Sequence, residues 1–461
     1  MAPFRDMAPA IETLSDEYAA KDEGADQFYH VPSLVLESGL ALPSVRLAYQ
    51  TWGQLNGAGD NCVLVPHALT GNADLSSWWG ALLGPGEAFD TSRFFIVGVN
   101  MLGSPYGSTS PLDELPAEGV PWVKPRCGTY AEPAGSRYAA DFPHCTIRDN
   151  VRLQHALLTS HLGVRALHAV VGGSCGGMQA LEWTIMYPHL VRRAVLLACG
   201  ASQSAWQIAV GEAQRESIYR DPKFNDGMYA PDAPPSDGLS VARQNAMVWY
   251  RSPLAYDQKF GRRSQPPTPN SPHKRALEHA GAGGAGAPPS YAVEGYLDHQ
   301  GTKFVDRFDA NCYLTLTRTL DSHDVSRGRA RGVGEVLRKI RQPVLVVGIS
   351  SDVLYPVAMQ RELAEQMPNA TLRIVESPQG HDAFLLESEI VSQLVTEALA
   401  QPEDECVTEY PAVLSEAKQE ETPPPTPLPA KRAVPPPMPA TAPPPICPAD
   451  SEAVVKSLRM L

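Results

Sequence analysis

Residues 167–187 read LHAVVGGSCGGMQALEWTIMY, and this stretch decides the fold. Leu167–Val171 is a short apolar run with paired valines, the pattern of a strand buried on both faces. Gly172-Gly173-Ser174-Cys175-Gly176-Gly177 follows, and MQALEWTIMY then reads as a helix. Strand, tight turn and helix, with G-x-S-x-G at the turn, is the context of an elbow that lifts a nucleophile above a sheet. The turn is sharp enough to hold Ser174 in a strained backbone conformation, and side chains at 172 and 176 would collide with the adjoining helix and strand. The helix beneath offers free N–H groups to a developing oxyanion. Glycine-rich strand–helix turns also cradle phosphates, but the spacing here fits neither G-x-G-x-x-G nor G-x-x-x-x-G-K-[ST].

The pattern spreads outward from this elbow. Apolar, β-rich runs recur at Cys62–Val65, Phe94–Val99, Ala194–Leu197, Val344–Ile349 and Leu372–Val375. Helical segments at Thr146–Leu162, Gly176–Tyr187, Val357–Met367 and Glu389–Ala400 separate several of them. This alternation predicts an α/β fold, a mostly parallel sheet with helices on both faces. Between about 201 and 341 the strand rhythm stops. Helical material dominates there, at Glu212–Tyr219, Gly238–Tyr250, Gly295–Phe308 and Tyr313–Asp321, and reads as a helical lid inserted between two strands. The expected organisation is an N-terminal extension (1–30), the core's first part (31–200), the lid (201–341, with a loop at 264–290), the core's second part (342–400) and a tail (401–461).

A serine needs a base and an orienting acid to act as a nucleophile. The chain order expected with this elbow is serine, then acid, then histidine. Strand Val344–Ile349 runs into Ser350-Ser351-Asp352, and strand Leu372–Val375 leads to GHD at 380–382. His381 is the one histidine after the last strand, so position alone selects Ser174, Asp352 and His381. Asp352 also reads as a turn or helix-capping aspartate, and His381 as a loop histidine. Glu376 is a rival acid at a less suitable strand end. Cys175 is a rival nucleophile, but the residue after the elbow serine contributes its backbone N–H while its side chain packs inward. The second oxyanion donor is expected in the loop after Cys62–Val65, from the backbone N–H near Leu69. His67 in the same loop reads as structural.

Composition narrows the class. The chain has 461 residues, 43% hydrophobic and 19% charged, enough apolar material for a large core. Its 38 basic and 51 acidic residues give a net charge of −13, which disfavours nucleic acid and anionic membranes as partners. No apolar run is long enough to span a bilayer, and the N-terminus lacks a secretory h-region, so a cytoplasmic location is expected. The eight cysteines are scattered, with no CxxC and no Cys/His cluster at metal spacing, so no metal and no disulfide framework are expected. Residues 401–461 hold 15 of the 44 prolines, including Pro423–Pro425, Pro435–Pro437 and Pro443–Pro445. That composition reads as a disordered, solvated tail, or functionally as a docking segment for a proline-binding partner. The stretch 264–290, rich in Gly, Ala and Pro, reads as a long surface loop.

The longer motifs resemble the homoserine O-acetyltransferase family, a branch of the α/β-hydrolase fold. They are YQTWG (49–53), HALTG (67–71), NMLGSPYGSTSP (100–111), GGSCGGMQALEW (172–183), RFDANCY (307–313), DSHD (321–324) and GHDAF (380–384). The resemblance runs from about Val31 to Gln401. It implies ping-pong transfer of the acetyl group of acetyl-CoA through an acetyl-Ser174 intermediate to the hydroxyl of homoserine, in methionine biosynthesis. Acetyl-CoA is then a co-substrate and no cofactor is permanently bound. The family's amino-acid grip maps onto Arg243, in GLSVARQ (238–244), and onto Asp382, with Tyr250 assisting. Arginine suits a carboxylate and aspartate an ammonium. Surface-helix and loop-turn roles are the plain alternatives for Arg243 and Asp382. The resemblance also implies a homodimer formed through the helical domain. The family usually carries methionine after the nucleophile where this chain has Cys175, which leaves the backbone donor intact but changes packing near the acyl group. No phosphate-cradling motif is visible for the nucleotide end of CoA. Other readings keep the machinery and change a substrate: serine or a specialised-metabolite alcohol as acceptor, or succinyl-CoA as donor. A serine esterase and a non-catalytic scaffold using the tail are the readings from other classes.

Overall fold

The computed structural model describes residues 27–115, 137–265 and 290–400. The predicted tail, and the predicted loop from 266 to 289, lie outside them. Eight strands form one sheet: β1 (Gln27–Val35), β2 (Ala41–Trp52), β3 (Cys62–Pro66), β4 (Phe95–Val99), β5 (Leu167–Gly173), β6 (Ala194–Leu197), β7 (Val344–Ile349) and β8 (Ala370–Val375). Their spatial order is β1-β2-β4-β3-β5-β6-β7-β8. From β4 to β8 every neighbouring pair is parallel, while β2 runs antiparallel to both β1 and β4.

The β1–β2 hairpin corrects the expected boundary, because β1 begins at Gln27, inside the segment read as an N-terminal extension. The reason is chemical. β1 is an edge strand, QFYHVPSLV, half exposed along its length and carrying Pro32. β2 carries Pro43 and Arg46. Neither presents the apolar run that marks a central strand, and proline is tolerated at a sheet edge.

Alternation along the central strands supplies two cores. Leu64, Val170, Leu196 and Val346 face one side, against α1 (Ile147–Ala156) and α2 (Cys175–Met186). Val65, Val171, Leu197 and Val347 face the other. Thr146 caps α1 through a capping box with Asp149. The predicted helix 146–162 ends as a π-helical turn, Leu157–His161.

Between β6 and β7 no described residue joins the large sheet. The insertion consists mainly of α3 (Ala205–Tyr219), α4 (Ser236–Tyr250), α5 (Pro253–Lys259), α6 (Ala292–Val305) and α7 (Ala310–Asp321). Helix α4 packs against both α3 and α6. The sequence reading placed two of these helices late: α3 begins at Ala205, after its Ser204 cap, and α6 runs from Ala292 to Val305. Ser264 and Tyr291 form an antiparallel bridge that closes the base of the predicted loop. The chain then returns through α8 (Val357–Gln366) and α9 (Ser388–Ala400), which packs on the second core face through Val391, Val395 and Leu399. No helix among the described residues is long and apolar enough to cross a membrane.

Register places the site. Gly173 pairs with Leu197, Leu197 with Val347, and Ile349 with Val375. The C-terminal ends of β5, β7 and β8 therefore share one sheet edge, and whatever follows each strand is brought to that edge.

Candidate active site

Ser174 follows β5 at φ 54°, ψ −122°, a conformation that L-residues rarely adopt. Its N–H donates to Leu197 O at 2.9 Å, which ties the strained residue to the next strand. The glycines are required by contact. A Cβ on Gly172 would lie 2.3 Å from the Gly176 backbone, and one on Gly176 would lie 2.2 Å from Pro66 O. Gly173 is under the same restriction, 2.4 Å from the Phe384 ring. Helix α2 starts at Cys175, whose N–H, in the first turn, has no intrahelical acceptor.

The other two sequence-selected groups converge on Ser174. His381 Nε2 lies 2.9 Å from Ser174 Oγ, and its Nδ1 lies 2.7 Å from Asp352 Oδ2. The second oxygen of Asp352 accepts the N–H groups of Leu354 and Tyr355, each at 2.8 Å. Asp352 thus both organises its own turn and orients the imidazole. With Nδ1–H donated to the carboxylate, Nε2 is the basic nitrogen facing the serine hydroxyl. Burial opposes charge on His381, but the charge of Asp352 and its hydrogen bond outweigh this and hold the imidazole above its ordinary value of 6.5. The GHD turn is fixed by Gly380, at φ +72°, whose N–H donates to Ser351 Oγ at 3.0 Å. Glu376, the rival acid, is exposed.

The loop after β3 lines the same cavity through Ala68, Leu69, Thr70 and Gly71. His67 braces it from behind: its Nδ1–H donates to Ala68 O at 2.6 Å and its Nε2 accepts Met101 N–H at 3.1 Å. Complete burial pushes His67 down to about 4, so it is a neutral strut. Gln179 on α2 reaches the carbonyls of both His67 and Cys175 at 3.4 Å, linking the loop to the elbow helix. The Cys175 thiol is fully buried, 3.7 Å from Met101 Sδ, and burial pushes it up to about 12. It does not line the cavity, and a thiol at that value supplies no thiolate near neutrality.

The cavity is walled by both parts of the molecule: Ser174, His381, Asp382 and Phe384 from the core, Tyr250 and Leu320 from the insertion. Arg243 is buried, not a surface-helix residue; its guanidinium lies over Phe304 at 5.0 Å and over Tyr250 at 5.7 Å. It is not among the residues that line the cavity. Asp382 is buried too. Burial raises its carboxyl, against the pull of Arg251, His381 and Arg243. Its Oδ2 lies 3.3 Å from Arg251 Nε and accepts no hydrogen bond among the described residues.

Two functional-looking residues were missed from sequence. Arg251 caps the end of α4 and touches Asp382 from one side and Gln379 Oε1, at 3.1 Å, from the other. Arg307, in RFDANCY, donates to Thr70 O at 3.2 Å and so holds the 67–71 loop from the insertion. Neither belongs to a spacing pattern that sequence alone can read. No His/Cys/Asp/Glu group among the described residues is arranged to hold a metal ion. The five described cysteines, 62, 145, 175, 199 and 312, are buried and free; Cys127, Cys406 and Cys447 lie outside the described residues.

A serine on a strained strand–helix turn, at the C-terminal edge of a mostly parallel sheet and opposite a histidine from the last strand, defines an α/β-hydrolase, and residues 61–388 match the family model described as the alpha/beta hydrolase fold. Curated relatives are more specific. A homoserine O-acetyltransferase of Salinibacter ruber is 47% identical over 370 residues, covering 79% of this chain and 95% of that protein. That of Saccharomyces cerevisiae is 41% identical over 430 residues, covering 80% and 85%. In fold, the homoserine O-acetyltransferase of Bacillus anthracis superposes with a TM-score of 0.70 at 24% identity, covering 82% of this chain and 98% of that one. This chain belongs to the homoserine O-acetyltransferase family.

Proposed function

We propose that the protein transfers the acetyl group of acetyl-CoA to the hydroxyl of L-homoserine through an acetyl-Ser174 intermediate. The observation that carries this reading is the Ser174–His381–Asp352 relay enclosed in a cavity that the helical insertion roofs. In the first half-reaction Ser174 Oγ attacks the thioester carbonyl as His381 Nε2 takes its proton. The C–S bond breaks, and the sulfur leaves with that proton as the CoA thiol. In the second, the homoserine hydroxyl gives its proton to His381 and attacks the acyl carbon. The bond to Oγ breaks, and Ser174 recovers the proton. The backbone N–H groups of Cys175 and Leu69 stabilise the oxyanion in both steps. Asp352 holds the productive tautomer and the imidazolium formed on the way.

The amino-acid end of the acceptor is held by opposite charges. The carboxylate of Asp382, which lines the cavity, suits an ammonium. Arg243, beside Tyr250, supplies the countercharge for the carboxylate. A roofed, largely apolar site also keeps water from the acyl-enzyme. The five described cysteines are all free, which suits a reducing compartment, and we place the reaction in the cytoplasm. Exposed Trp206 and Ile208 on α3, Val241 and Val248 on α4 and Leu254 on α5 support a homodimer formed through the insertion. Val241 and Val248, seven apart, share one helical stripe.

The test offers purified protein acetyl-CoA or succinyl-CoA, with homoserine and serine in parallel, and identifies the product by mass. O-acetylhomoserine as the main product supports the reading. Acetyl-CoA hydrolysis at the same rate with and without an amino-acid alcohol would make the protein an esterase.

A further inference from the structure

The insertion is seated on the turn that carries His381. Ser252, which caps α5 by accepting Ala255 N–H at 3.0 Å, donates its hydroxyl to Pro378 O. A Cβ on Gly380 would lie 2.6 Å from the Arg251 carbonyl carbon and from Ser252 N, so backbone meets backbone there. From this seat the Arg251 side chain runs along the turn. Its Nη1 donates to Gln379 Oε1 at 3.1 Å, and its Nε lies 3.3 Å from Asp382 Oδ2. Arg251 lines a neighbouring cavity while Asp382 lines that of Ser174, so the guanidinium meets the carboxylate without lining the space an acceptor occupies.

The contact meets an electrostatic need. The Asp382 side chain is 4% exposed, and burial drives a carboxyl toward its neutral form. Asp352 adds a like charge, while Arg251, His381 and Arg243 oppose both effects. Tyr250, Tyr256 and Tyr296 also lie within the field of Asp382, but burial raises each of them and they stay neutral. His381 helps only when protonated, yet it must be neutral to take the proton of an acceptor hydroxyl. At that moment the countercharge comes from the two arginines, and Arg251 is the stronger of them. We propose that Arg251 is a positioning residue for the acceptor: it holds the Asp382 carboxylate charged and in place, so that the enzyme selects an alcohol bearing an ammonium group over the same alcohol without one. The assignment rests on the acetyl-transfer reading above, in which Asp382 meets the ammonium, and adds what keeps that carboxylate anionic.

The experiment separates the ammonium from the rest of the acceptor. Transfer from acetyl-CoA to homoserine and to 4-hydroxybutanoate, which lacks the ammonium, is measured for the full chain, Arg251→Gln and Arg251→Lys. The ratio of kcat/KM for homoserine to that for 4-hydroxybutanoate should fall by roughly tenfold in the glutamine variant, the order of one charge-assisted pair. It should stay within about threefold in the lysine variant, which keeps a cation beside Asp382. The pH profiles of the glutamine variant should part. Asp382 then titrates at higher pH and binds the ammonium only as carboxylate, so kcat/KM for homoserine is lost as pH falls through a value about one pH unit higher. Acyl-enzyme formation answers to His381, which a neutral Asp382 no longer helps to protonate, so its acid limb should not rise. A merely structural role would lower both acceptors together and leave the two limbs in step, and either result overturns the assignment. If the glutamine variant does not fold, the lysine variant decides, since a fall as large as tenfold there overturns it. Transfer to homoserine by the unmodified chain tests the acetyl-transfer reading separately: no transfer ends that reading, whereas transfer with a ratio that Arg251→Gln leaves unchanged ends this assignment alone.

Discussion

Ser174, Asp352 and His381 stand just beyond the C-terminal ends of β5, β7 and β8, whereas Arg243, Tyr250 and Arg251 come from the far half of α4 and its cap. The first group is placed by backbone. Parallel register puts three strand ends on one edge, glycines at 172, 173 and 176 allow the elbow, and N–H groups of residues 354 and 355 aim the Asp352 carboxylate. The second group is placed by side-chain packing: Arg243 by the Phe304 and Tyr250 rings, Arg251 by contact with Asp382 and Gln379. The division has a chemical counterpart. On the proposed reading the relay at the sheet edge does what every acyl transfer needs, while the insertion, with Asp382 from the edge, holds what receives the acyl chain. Substitutions in the relay should therefore disable both half-reactions, and substitutions of the acceptor-holding groups should disable mainly the second.

The largest effect is expected for Ser174→Ala. Acetyl transfer should fall by roughly 10⁴-fold or more, with no acetyl adduct in the intact mass. An adduct that persists would remove the serine from the chemistry. Asp352→Asn should lower kcat by about 10³- to 10⁴-fold, because His381 loses its orienting partner and its countercharge. It should also move the pH profile. The reacting form is neutral His381, held above 6.5 by Asp352, so activity in the unmodified enzyme is lost as pH falls through a value above 6.5. Without that carboxylate burial is opposed by the charge of Asp382 alone, and the acid limb should move to lower pH; a limb that stays in place would mean that His381 does not govern it.

Arg243→Ala sharpens the comparison most directly. The kcat/KM for homoserine should fall by roughly 10²-fold, as for a lost charge-assisted pair, while burst formation of acyl-enzyme changes by less than about threefold. Equal losses in both half-reactions would make Arg243 a structural residue and erase the division between edge and insertion. The smallest effect is expected for Cys175→Ala. The proposed oxyanion donor is the backbone N–H, so kcat should change by less than about tenfold, while loss of the buried contact with Met101 lowers the melting temperature. Abolished acyl-enzyme formation in that variant would return the thiol to the list of nucleophiles.

Much of the edge was legible in the chain because its signals are local. A glycine pattern at 172–177 follows from one tight turn, and apolar runs at β3 to β7 follow from burial on both faces. The order Ser174, Asp352, His381 follows from which residues come after which strands. The β1–β2 hairpin was not legible, since an edge strand with one wet face and a proline lacks the apolar run that marks the interior. Arg243, Tyr250 and Asp382 were reached through the resemblance and not through any periodicity, and Arg251 was not reached at all.

The amino-acid sequence by itself determined the α/β class, the elbow and the three groups of the relay, because each depends on steric or hydrophobic demands within a few residues. Only the tertiary structure decided that Arg251 meets Asp382, that His67 is a buried neutral strut and that Arg307 holds the oxyanion loop. Those contacts join residues 131, 34 and 237 positions apart, and their energies depend on burial and charge that exist only once the insertion has closed over the sheet edge.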